Sequence, residues 1–91
     1  MKYRKKPIVI DAVKWDGRPE TANEFLGERF GTDWLYAGVG SLAIMIWTRE
    51  GLMRGEVGDW IIRGVAGEFY PIKADIFEAT YELAETLEGV P

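Results

Sequence analysis

Four turn signals cut residues 38–72 into short apolar runs, and that rhythm limits what the chain can become. Gly38-Val39-Gly40, Arg49-Glu50-Gly51, Glu56-Val57-Gly58-Asp59 and Gly64-Val65-Ala66-Gly67 alternate with Leu42–Thr48, Leu52–Gly55, Trp60–Arg63 and Glu68–Ile72. Runs this short, rich in β-branched and aromatic residues, read as strands, and spacers this short join antiparallel neighbours. Gly58–Tyr81 is the densest part of the pattern, and Ile44–Gly55 reads as the hairpin ahead of it.

The flanking segments complete the layout. Pro7 suits the start of a strand, where no ladder hydrogen bond is lost. Ile8–Trp15 reads as strand one, with Ile8, Ile10 and Ala12 on one face and Val9, Asp11, Val13 and Trp15 on the other; both faces require cover. Asp16-Gly17 turns the chain. Pro19–Leu26 has proline and an acid in its first turn, Ala22, Phe25 and Leu26 as an apolar stripe, and Gly27 as a stop, which together predict a helix. Asp33–Ala37 reads as a short strand, Lys73–Thr80 as a helical turn or two, and Tyr81–Leu83 as a short closing strand. The expected fold is a single α+β domain over residues 1–91. It has one twisted antiparallel sheet of five to six strands, a main helix at about 19–26 and a short helical turn at about 73–79. Residues 1–6 read as a basic, mobile start and residues 85–91 as a frayed tail.

Composition narrows the chemistry. Apolar residues make up 47% of 91, too many for intrinsic disorder and enough for one core. There is no cysteine, so disulfides and thiolate metal sites are excluded and a reducing cytoplasm is the expected compartment. Histidine is also absent, which removes the commonest general base and zinc ligand together. The net charge of -4 opposes non-specific binding to nucleic acid. Lys2, Arg4, Lys5 and Lys6 crowd the start, but the apolar run after them stops at Asp11. Neither an export signal nor a membrane span is therefore expected, and the expected setting is the cytoplasm of a bacterial host cell.

One pattern covers most of the chain. It runs from Tyr3-Arg4-Lys5-Lys6-Pro7, Ile10-Asp11-Ala12 and Trp15-Asp16-Gly17, through Thr48 and Glu50-Gly51, to Gly58-Asp59-Trp60-Ile61-Ile62, Gly64-Val65 and Gly67-Glu68-Phe69-Tyr70-Pro71. It closes with Asp75-Ile76-Phe77 and Thr80-Tyr81-Glu82. In these residues the chain resembles a family of small proteins encoded by tailed phages and prophages. It departs from many relatives at Ile72, where they carry cysteine, so nothing thiol-dependent is inherited. The resemblance implies a phage accessory protein. In size and style the chain is also similar to compact phage proteins that sequester cyclic nucleotide immune signals without cleaving them, an analogy of fold style alone.

Three functional classes follow. The first is a non-enzymatic homo-oligomer that binds a small anionic ligand, such as a cyclic nucleotide or cyclic ADP-ribose variant, at an intersubunit groove. Arg54, Arg63 and Lys73 would hold phosphates and Trp60 or Tyr70 would stack on a base, with Lys6 as a further point charge. The second is an interaction module that caps a host or phage protein with the Ile44–Trp47 strand, whose consecutive apolar residues leave one face to be covered by a partner or a symmetric copy. The third is a metal-dependent phosphodiesterase built on Asp11, Asp16, Asp59, Glu68 and Asp75. Against it, Asp16 and Asp59 sit beside turn glycines, Asp75 suits a helix start, and Asp11 fits an ion pair with Arg63 or Lys73. No cofactor and no catalytic residue is expected, since neither a nucleophile–base set nor a phosphate loop is present.

Overall fold

Backbone pairing sorts the strands into two sheets. The computed structural model describes residues 1–4 and 7–83. In the first sheet β1 (Asp11–Lys14) pairs antiparallel with β5 (Trp60–Arg63), which pairs with β6 (Phe69–Ile72). In the second, β2 (Trp34–Tyr36), β3 (Ile44–Thr48) and β4 (Gly51–Gly55) form an antiparallel meander. Helix α1 (Pro19–Leu26) follows β1, and α2 (Ala74–Thr80) follows β6.

The class is α+β, as the spacing predicts, but the single twisted sheet is replaced by two. The reason lies at the turn before β5. Trp15 N–H donates to the Asp59 carbonyl at 2.8 Å, and Gly58 N–H donates to the Trp15 carbonyl at 2.9 Å. These bonds hand β5 to β1 rather than to β4, its neighbour in sequence. Strand β6 then crosses β3 and β4 by packing. The approach is close at Gly55, where a Cβ would sit 3.2 Å from both Pro71 Cβ and Ile44 Cγ2. A side chain there would push the sheets apart.

The core fills the space between. Val13, Trp15, Ile61 and Phe69 come from one face of the first sheet. Trp34, Tyr36, Ile44 and Ile46 come from the inner face of the second, and α1 adds Ala22, Phe25 and Leu26. The two buried indoles satisfy their N–H groups on backbone: Trp15 Nε1 donates to the Leu42 carbonyl at 2.7 Å and Trp34 Nε1 to the Gly27 carbonyl at 3.3 Å. A buried donor left unpaired would cost about 1–3 kcal/mol. On the opposite face of the first sheet Trp60, Ile62 and Tyr70 lie on the side of α2, and Ile62 is fully buried there.

Helix α1 has the bounds predicted from its stripe. Its N-cap Arg18 makes no side-chain cap, and Asp16 does that work from two residues ahead. One Asp16 oxygen accepts from the Arg18 N–H at 3.0 Å and the other from Thr21 Oγ1 at 2.8 Å. The hydroxyl bond first, and the Arg18 amide second, hold this carboxyl below its ordinary range. A depressed folded-state value contributes stability above the unfolded aspartate range, and that contribution is lost as pH falls through the folded value. Asp16→Asn is therefore expected to flatten the acid limb of a Tm-versus-pH curve below pH ~4. An unchanged acid limb would mean that Asp16 does not anchor the helix.

Two further expectations are corrected. Strand one was drawn over Ile8–Trp15, yet only Asp11–Lys14 enters the ladder, because β5 ends at Arg63 opposite Asp11. Residues 81–83 form no strand: Tyr81 caps α2, its N–H donating to the Phe77 carbonyl at 2.9 Å. The tail drawn over residues 85–91 lies outside the described residues. No helix among the described residues is long and apolar enough to cross a membrane.

Candidate functional site

The five residues assigned to ligand binding do not converge on one place. Arg54 sits on β4 in the second sheet, opposite Met45, and pairs with the Glu56 carboxylate. Arg63 ends β5 on the α1 side of the first sheet. Its guanidinium lies over the rings of Phe25 at 5.2 Å and Phe69 at 5.7 Å, and its Nε is 3.8 Å from Asp11. Trp60 and Tyr70 occupy the other face of the same sheet, as period-2 alternation requires of residues three apart on one strand. Lys73, just before α2, donates to Asp59 Oδ2 at 3.1 Å. Each of the three cations thus already has a carboxylate within ion-pair range.

The aromatic pair is covered by the chain itself. Phe77 of α2 stacks on Trp60 with ring centroids 4.2 Å apart and planes 13° from parallel, and Tyr81 stacks on Phe77 at 5.2 Å. Trp60 Nε1 is buried without an acceptor among the described residues. Burial, then a hydrogen bond with Tyr81, raises the Tyr70 phenol above its ordinary range. A base stacking on Trp60 would have to displace Phe77.

Asp11, flagged as a carboxylate within a strand, finds Arg63 as its partner, and both are largely exposed. Asp59 is the buried one, and its carboxylate accepts from the Glu56 N–H at 2.9 Å as well as from Lys73. Among the described residues no three acidic groups converge on a point that would hold a metal ion. An open depression of about 370 Å³ is lined by Val13, Lys14, Asp16, Thr21, Glu24 and Phe25.

A further apolar surface lies on the outer face of β2–β3–β4. Register sets Leu35 beside Met45 and Trp47 beside Leu52. Ile44 and Ile46 point into the core, whereas Trp47 is 43% exposed and Leu52 47% exposed. The expectation that the Ile44–Trp47 strand needs cover on both faces resolves into an inner half that is covered and an outer half that is open. Leu52 escaped notice in the sequence, because a three-residue Arg49-Glu50-Gly51 turn would set it across from Thr48. The chain instead reverses on Arg49-Glu50 alone, Gly51 enters β4, and Leu52 comes to lie across from Trp47.

Comparison of the chain with protein-family models, with curated proteins and with solved structures found no match.

Proposed function

We propose that this chain is a non-enzymatic protein-binding module whose working surface is the outer face of β2–β3–β4. The observation that carries the reading is the cross-strand pair Trp47–Leu52, two large apolar side chains left open beside Met45 and Leu35. Tryptophan is among the residue types most enriched at interface hot spots, and the β3–β4 ladder fixes the backbone that presents it. The resemblance to phage and prophage proteins supports a partner among phage or host-cell proteins. Sequestration of a nucleotide draws less support. Each of its cations is already ion-paired, and the Trp60 face is occupied by Phe77.

The test is co-purification of wild type and Trp47→Glu from phage-infected or lysogenic cells, followed by native mass spectrometry. Wild type is expected to retain a stoichiometric protein partner. Trp47→Glu is expected to weaken binding at least ~30-fold, the scale of a hot-spot tryptophan, while its circular dichroism stays unchanged. Uptake of a cyclic nucleotide by both proteins alike, with no protein partner, would overturn the reading and restore the nucleotide one.

A further inference from the structure

The run of β-branched residues that becomes β1 is longer than the ladder that uses it. Past the end of β5, Pro7–Ile10 lie outside any strand, and none of them takes part in a backbone hydrogen bond among the described residues. Ile8 is 47% exposed and Val9 69% exposed. Strand β1 is also the edge of its sheet. Trp15 reveals which groups lie on that edge. Its N–H and C=O turn toward Asp59 and Gly58, so by alternation Asp11 and Val13 bond to β5, and Ala12 turns its N–H and C=O outward. Extended, Ile8 and Ile10 join it. Pro7 then falls on a position that needs no donor.

We propose that this arm and edge pair with the arm and edge of a second copy, antiparallel across a two-fold axis, fusing two three-stranded sheets into one. A two-fold axis normal to the sheet keeps like faces on the same side and sets one residue across from its own copy at the centre. Centring on Asp11 places two carboxylates face to face, which is destabilising. Centring on Ala12 leaves Ile8 opposite Asp16, beyond the strand. Centring on Ile10 puts Ile8 across from Ala12, Val9 from Asp11 and Pro7 from Val13, and it uses all of Pro7–Ile10.

A second copy fits because arm and receiving edge are contiguous on one chain, so a single encounter satisfies both reciprocally. Charge agrees. The arm's leading end approaches the partner's open depression, where Asp16 and Glu24 outnumber Lys14, and Lys2 and Arg4 precede the arm, both exposed. This interface is separate from the Trp47 face and stands or falls without it.

The test uses the full chain, which has no cysteine of its own. Light scattering of wild type is expected to give twice the 10.3 kDa of one chain. Ile10→Cys is expected to form an intermolecular disulfide under mild oxidation, since paired residues in such a ladder lie about 5.5 Å apart at Cα. Asp11→Cys and Ala12→Cys serve as register controls and are expected to cross-link at least tenfold more slowly. Ile10→Lys, which sets like charges at the axis, is expected to give a folded monomer. A wild-type monomer at all concentrations, or faster cross-linking at Asp11 or Ala12, would overturn the proposal.

Discussion

Trp15→Ala is expected to cost about 3–5 kcal/mol of folding stability, the range for truncating a buried tryptophan. Trp15 is fully buried, and it joins three parts of the molecule. Its ring packs in the core near Tyr36, its Nε1–H binds the Leu42 carbonyl, and its backbone holds the Gly58-Asp59 turn. A domain of 91 residues has roughly 5–14 kcal/mol in total, so the loss takes a large share of it. Urea unfolding is the measurement, with an expected fall in midpoint of roughly 2 M at ordinary denaturant slopes. Trp15→Phe keeps most of the ring but strands the Leu42 carbonyl, and is expected to cost about 1–3 kcal/mol. If both variants unfold at the wild-type midpoint, the indole does not hold the sheets together.

The reach of sequence reasoning differs between fold and site for a physical reason. Strand and helix positions depend on local signals. Trp60–Arg63 and Pro19–Leu26 were legible to the residue because glycines, Asp16 and Pro19 punctuate them. Which strand pairs with which depends on contacts far apart in sequence. The bonds of Trp15 to Gly58 and Asp59, which divide one expected sheet into two, carry no local signature. The candidate site suffered from the same blindness. Trp60, Arg63 and Tyr70 look interleaved along the chain, yet Arg63 lies on the far face of the strand from Trp60, and Phe77 covers the indole. Period-2 alternation would have separated Trp60 from Arg63; the covering by α2 was beyond it. On β3 the same alternation identifies Trp47 as the outward residue once Ile44 and Ile46 are assigned inward.

Asp59→Ala is expected to be the most damaging substitution of a charged residue, at about 2 kcal/mol. Asp59 is the sole polar or charged residue buried among the described ones, 8% exposed. Its carboxylate closes the turn from Glu56 and also meets Lys73, at the point where β6 gives way to α2. The two contacts differ in weight. The Lys73 side chain is 57% exposed, so water and salt screen the ion pair, and its removal by Lys73→Ala is expected to cost under about 1 kcal/mol. The amide of Glu56 has the Asp59 carboxylate as its partner in a half-buried turn, and losing that acceptor leaves a donor unsatisfied. Asp59→Asn, which keeps an acceptor oxygen and drops the charge, is thus expected to retain most of the stability that alanine loses. Denaturant titrations of the three variants at low and high salt decide the matter. Should Lys73→Ala cost as much as Asp59→Ala, and the difference vanish in salt, the ion pair rather than the turn fixes this corner. The corner between β5 and the end of β6 would then be held by charge, and its contribution would be expected to fall as ionic strength rises.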